Sequence, residues 1–471
     1  MQKVLGHILA ILGRIVFIGL SIQIVLGLLW MCGNYGSFQG FGDSLFYMEV
    51  SETLLFDEYT GALYPVILML IRGIGNWFSI PPAYIMQPLQ LLAAGWGSAC
   101  FVRSLGVKGR LRTAWAALAI MTYPMVMQCH MAILPNSLTF TCFLVEMSLI
   151  IRGVRERKPL QAVTLAKAAG LWLLSALLLP EYQYLGAVPL LLFVVYDLWV
   201  FRKEKGRRVL YNLLLVAAFW GMLVSAQSLL QKEGAHGRPQ KTWEAALFRR
   251  FVWNDLGAQY QNWPEEVKEG YSIYDLQEIT YFPDNLERML QPKVEAQMGA
   301  EWAKKWYLDT ASLAFTRNAR KILHEMAWDV VGYLAPNATL QLFLNGRGYD
   351  SFAGRNYEIM RQEVPLLTKY YANYSHWWIL VGVAIALVSE VVLLFTGRRI
   401  SIFPVLLCLV TAGEMIVWYV MQGAGIWDYK NALFAGALAL FWMLLAWNRS
   451  VEKVVEAHGK EKDNEGRSGM A

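Results

Sequence analysis

The residues best suited to chemistry lie close together near the N-terminus. A hydrophobic run from Ile8 to Met31 is followed by a polar stretch, Phe41-Gly42-Asp43-Ser44-Leu45-Phe46-Tyr47-Met48-Glu49, with further carboxylates at Glu52, Asp57 and Glu58. A carboxylate at a membrane surface can accept the proton of a hydroxyl as that hydroxyl attacks, provided it is held within hydrogen-bond reach. Asp43 is the acid placed for that role, and Tyr47 follows it by four residues. Asp43 is equally suited to capping the helix that starts beside it. Glu49 and Glu52 are solvated surface groups or, with Asp43, hard oxygen ligands for a divalent metal ion. No cofactor is certain from the sequence.

Composition says what carries this loop. The chain has 471 residues, of which 56% are hydrophobic and only 17% charged, and its mean hydropathy is +0.34. Soluble domains carry about a quarter charged residues, so the class is a polytopic membrane protein. The net charge of +6 does not indicate a nucleic-acid partner, because the basic residues fall in short clusters between apolar runs, where insertion topology explains them. The five cysteines form no CxxC and no Cys/His metal spacing. The first apolar run ends without a small-x-small cleavage site and reads as a retained span.

A hydrocarbon core of roughly 30 Å takes about 20 apolar residues in a helix. Such runs occur near 8–31, 83–102, 113–131, 134–151, 162–180, 184–201, 209–230, 377–396, 400–421 and 429–447, giving about ten transmembrane helices. Connections rich in Lys and Arg (103–112, 152–158, 202–208, 398–399) alternate with short connections around Pro135 and Glu181 that have none. The positive-inside rule therefore predicts a multi-pass protein of the plasma membrane with both termini cytoplasmic. The segment 62–80 is apolar but holds Arg72, Gly73, Gly75 and Asn76 between prolines. Counting it as a crossing would invert every later basic cluster, so it reads as a helix lying in the outer interface, with a re-entrant helix as the alternative.

The expected organisation is a transmembrane module, 1–230, with a first outer loop at 32–82; a large outer loop, 231–375; a second transmembrane module, 376–447; and a disordered cytoplasmic tail, 448–471. Helical spacing at 286–306 and 311–334 makes the large loop a mainly helical outer domain. No internal repeat is visible, which disfavours a transporter of two matching halves.

This topology sends Asp43, Tyr47, Glu49, Arg72, His130, Asn136, Glu181, Tyr182, Asp428, Tyr429 and Lys430 to the outer face. Arg72 and Lys430 are candidate phosphate ligands. Arg72 can equally snorkel to lipid headgroups, and Lys430 can pair with Asp428. His130 and Glu181, at outer helix ends, are titratable groups beside a cavity or packed interfacial residues. Glu414 sits mid-span. No P-loop, HExxH or GxSxG is present, which speaks against ATP-driven transport, zincin proteolysis and serine-hydrolase chemistry.

The first 150 residues resemble the C-type (GT-C) membrane glycosyltransferases, which take sugars from polyprenyl phosphates. The resemblance rests on a span, then Asp43-Ser44-Leu45-Phe46-Tyr47, then the Tyr64-Pro65 segment. Phe101-Val102-Arg103, Tyr123-Pro124 and the Pro135-Asn136 turn follow. The loop acid of that family matches Asp43; its frequent acidic neighbour is Ser44 here. The resemblance implies a GT-C-like all-α fold and an inverting transfer from a polyprenyl-phosphate-linked sugar. The acceptor would be an envelope glycan, lipid or protein, with Tyr47, Glu49, Arg72, His130, Glu181, Tyr182, Tyr429 and Lys430 around the substrates. The alternatives are a polysaccharide polymerase or ligase, a lipid or glycan transporter, and an envelope scaffold.

Overall fold

The computed structural model describes residues 2–35, 44–56, 60–156, 161–180, 182–200, 205–230, 242–252, 260, 262–269, 286–334, 365–395, 440–444 and 447–448. Of these, 89% are helical and none forms a strand, so the all-α class holds. The elements are α1 (Gln2–Asn34), α2 (Ser44–Thr53), α3 (Leu63–Phe78), α4 (Pro82–Ser104), α5 (Arg110–Met121), α6 (Pro124–Met131), α7 (Asn136–Glu156) and α8 (Ala162–Leu178). There follow α9 (Tyr182–Leu185), α10 (Ala187–Val200), α11 (Lys205–Leu230), α12 (Trp243–Val252), α13 (Glu265–Lys268), a π-helical turn (Leu286–Leu290), α14 (Gln291–Met298), α15 (Ala300–Leu334) and α16 (Leu366–Phe395).

Among the described residues five helices are long and apolar enough to cross a membrane, within α1, α4, α7, α11 and α16. Their outer surfaces are apolar too: Ile11, Ile18 and Val25 on α1, Leu210 and Leu214 on α11, and Val381 and Val388 on α16 are exposed. A helix that is apolar all round belongs in lipid or in a core. The expected spans at 162–180 and 184–201 appear as helices of 17 and 14 residues. The expected spans at 400–421 and 429–447 lie outside the described residues except for the last few. Those few pack on the bundle, with Phe441 4.1 Å from Phe101 and Trp447 4.6 Å from Trp115 between ring centroids.

The run 113–131, expected as one span, is two helices. Pro124 forces Tyr123 into an extended conformation (φ −65°, ψ 129°) and then starts α6, as its ring disfavours helical geometry in the residue before it. The carbonyl of Thr122, freed by the break, accepts a hydrogen bond from the Tyr371 hydroxyl of α16. That helix begins at Leu366, eleven residues before the expected span at 377 and inside the expected outer loop.

Side-chain contacts fix the helix directions. Gln23 donates to the carbonyl of Ala119 (3.0 Å) and Trp115 to Ser21 (3.0 Å), so α1 and α5 run parallel. Trp30 donates to Thr368 (3.1 Å) and Tyr374 to the carbonyl of Gly19 (2.9 Å), so α16 runs antiparallel to α1. Arg155 donates to the carbonyl of Ser104 (3.2 Å), bringing together the ends of α4 and α7. Arg103, Lys108, Arg110, Arg112, Arg152 and Arg155 thus share one end of the bundle. The opposite end gathers Tyr35 and Tyr84, whose rings meet edge-to-face at 5.9 Å, with the α6–α7 turn and the end of α8.

The described part of 242–334 builds a separate helical core from Phe248, Trp263, Leu286, Leu290, Val294, Trp306 and Tyr307. Helix α15 joins it to the bundle. Its first half belongs to this core, a kink falls at Asn318 (φ −127°, ψ 24°), and Met326 beyond the kink packs on the main core.

Candidate functional site

The site expected from the sequence depends on the first loop reaching the other helix ends, and its two helices do so. Helix α2 is ten residues long, too short to be stable alone, and it is held by packing. Tyr47 lies buried with its ring edge-to-face on Tyr64 of α3 at 5.3 Å. Tyr64 donates to Gln90 Oε1 (3.2 Å), and Gln90 Nε2 donates to the carbonyls of Cys129 (3.2 Å), His130 (2.9 Å) and Ala132 (2.8 Å). Gln87 donates to the carbonyl of Met131 (2.7 Å). The C-terminal carbonyls of α6, which have no helical partner of their own, are therefore satisfied by two glutamines of α4.

The stretch leading into α3 also touches α8. Gly61 has a left-handed backbone (φ +58°), and a Cβ there would lie 2.5 Å from the carbonyl oxygen of Leu177. Only glycine fits such a close approach without strain. Tyr47, Tyr64, Ala132, Ile133, Leu134 and Leu178 form one buried cluster at this end. Beside it, Gly61, Ala176, Leu177, Ala226 and Gln227 line a shallow dent in the surface. Gln227 donates to Gln183, two residues after Glu181 in the sequence, at 3.0 Å.

Helix α3 has 16 residues, about 24 Å at 1.5 Å per residue, short of the hydrocarbon thickness. Its buried face is Tyr64, Leu68, Ile71 and Gly75, while Leu70, Ile74, Trp77 and Phe78 are exposed. It ends where Ser79 turns left-handed (φ 56°) and Ile80 N–H bonds the carbonyl of Gly75 at 2.8 Å.

Of the residues expected at the site, Asp43, Glu181, Tyr429 and Lys430 lie outside the described residues, as do Asp428 and Glu414. Asp43 immediately precedes Ser44, the buried first residue of α2. Glu49 is exposed, two residues from buried Tyr47 and on another side of α2. Arg72 is not directed at an open space. Its Nη1 donates to the Met48 carbonyl (3.2 Å) and Ser51 Oγ (3.1 Å), and its Nη2 pairs with Glu52 at 2.5 Å. His130 is fully buried, with Nδ1 2.7 Å from Ser137 Oγ and no partner at Nε2 among the described residues. Tyr182 is buried in the main core, its ring edge-to-face on Phe143 at 6.1 Å. The structure thus brings Tyr47, Arg72 and His130 to one end. It sets His130 and Tyr182 into packing and turns Glu49 outward.

One residue escaped the sequence reading. Glu146 of α7 is completely buried, and neither carboxylate oxygen has a hydrogen-bond partner among the described residues. Its signal was available, since an acid within the apolar run 134–151 is costly in a membrane span and marks a functional position by default. Among the described residues no three His, Cys, Asp or Glu side chains gather into a metal-binding group. No known family model, no curated protein and no solved structure matches this chain.

Proposed function

We propose that the chain is a polytopic membrane glycosyltransferase of GT-C type. It transfers a sugar from a polyprenyl-phosphate donor to an envelope glycan, lipid or protein acceptor at the extracytoplasmic face. The observation carrying this reading is the buried cluster that locks the first loop onto the α6–α7 turn and the end of α8. It sits at the end of the bundle opposite Arg103, Arg110, Arg112 and Arg155. By the positive-inside rule that end is the outer one, and α3 lies along the outer interface with its exposed apolar side in lipid.

In this reaction Asp43 takes the proton of an acceptor hydroxyl. The acceptor oxygen forms its bond to the anomeric carbon from the face opposite the leaving group. The bond from that carbon to the phosphate oxygen breaks, and its electron pair leaves with the lipid phosphate. Lys430 is the cation for stabilising that charge. The helical unit at 242–334 contacts the acceptor.

The test is substitution of Asp43 by Asn, with lipid-linked sugars and envelope glycans followed by mass spectrometry. Loss of transfer with normal insertion supports the reading, and unaltered glycans refute it. A second reading, a lipid or glycan transporter, is favoured by one observation, the buried Glu146 inside a spanning helix. It requires that Glu146→Gln abolish function while Asp43→Asn does not.

A further inference from the structure

Arg72 belongs to α3, but its guanidinium grips α2. The two arms of the grip differ. One nitrogen reaches inward to the Met48 carbonyl and to Ser51, a buried side chain that itself donates to Met48 at 2.6 Å. The other meets Glu52, whose side chain is 59% exposed against 25% for Arg72. The planar fork therefore spans the last two turns of α2 and engages three acceptors at once, a geometry that a lysine cannot reproduce. Glu52 occupies the exposed arm of the guanidinium, so a phosphate approaching that arm competes with it.

We propose that Arg72 is a positioning residue that clamps α2, and with it the segment joining Asp43 to Tyr47, rather than a ligand for the donor phosphate. The clamp itself is a statement about α2. Its effect on catalysis rests on the transferase reading above.

The experiment uses the full-length protein in phosphatidylethanolamine/phosphatidylglycerol nanodiscs, with Arg72→Gln, Arg72→Lys and Glu52→Gln. Amide hydrogen exchange of residues 47–53 is measured beside kcat and KM for a polyprenyl-phosphate sugar. Arg72→Gln should speed exchange in α2 by roughly tenfold or more, because hydrogen bonds to a charged group are lost. Glu52→Gln should change it in the same direction by about two- to fivefold, as an exposed pair is weaker. Arg72→Lys should fall between them. Transfer should lose kcat in the same order while KM for the donor stays within about twofold. Unchanged exchange in Arg72→Gln overturns the proposal. So does a rise in KM at constant kcat, or a Glu52→Gln variant that binds donor more tightly because its arginine has been released. If the parent protein transfers no sugar, the transferase reading fails by itself, and the exchange rates still decide whether Arg72 clamps α2.

Discussion

The hydroxyl of Tyr64 donates to Oε1 of Gln90 at 3.2 Å, deep in the protein and 26 residues away in sequence. That bond joins the first loop to a glutamine whose amide is shared among three carbonyls of the α6 end. Replacing Gln90 by Leu removes the acceptor of Tyr64 and the donor to the His130 and Ala132 carbonyls, at about 1–3 kcal/mol for each group not rescued by water. Gln87→Leu removes the bond to the Met131 carbonyl. Thermal unfolding in detergent should therefore show a larger loss for Gln90→Leu than for Gln87→Leu. Equal losses would mean that the shared amide adds nothing.

Two glycines of the same region should respond with opposite sign. Gly61→Ala meets both a left-handed backbone and a carbonyl oxygen at 2.5 Å, so it should cost more than the roughly 1–2 kcal/mol of the backbone conformation alone. Gly73 lies inside α3 with nothing within 4 Å of its would-be Cβ. Gly73→Ala should stabilise by about 0.5–1 kcal/mol through helix propensity. Melting temperatures of the two variants check both signs.

Glu146 gives a third prediction. Its carboxylate oxygens have no partner among the described residues, a buried polar group without a partner lowers stability, and an apolar side chain of similar volume removes that cost. Glu146→Met should therefore melt at the same temperature as the parent or higher. A lower melting temperature would show that the carboxyl is satisfied by a bound water or ion.

The helical unit at 242–334 should have its own hot spot. Trp306 is nearly buried and touches Phe248, Trp263, Trp302 and Tyr307, whereas Trp302 is 38% exposed. Trp306→Ala should cost about 3–5 kcal/mol in local stability, and Trp302→Ala much less. Limited proteolysis between 243 and 314 should speed sharply for the first variant and little for the second.

Much of the helical framework was legible because long apolar runs announce themselves. In the large loop, helical spacing marked 286–306 and 311–334, where the π-helical turn, α14 and α15 lie, but it did not mark α12 or α13. The start of α16 was not legible. Residues 366–376 include Thr368, Lys369, Tyr370, Tyr371, Asn373, Tyr374 and His376, a polar stretch that reads as loop. It becomes helix because Thr368, Tyr371 and Tyr374 bond to α1 and to the α5–α6 break. The break itself was signalled by Tyr123-Pro124, but the surrounding apolar run outweighed it. Periodicity does not reveal where a single polar side chain points. His130 and Tyr182 were expected at a rim and are packed inside, and Arg72 was expected to meet phosphate and holds a neighbouring helix instead.

The most direct test of the transferase account compares cells carrying the parent protein with cells carrying Asp43→Asn, at equal membrane levels. Polyprenyl-phosphate sugars and envelope glycans are measured by mass spectrometry. Loss of a general base slows a reaction by about 10²–10⁴-fold. The account therefore predicts that a lipid-linked sugar accumulates and that one glycan species loses the corresponding residue. Identical profiles in the two strains would contradict it.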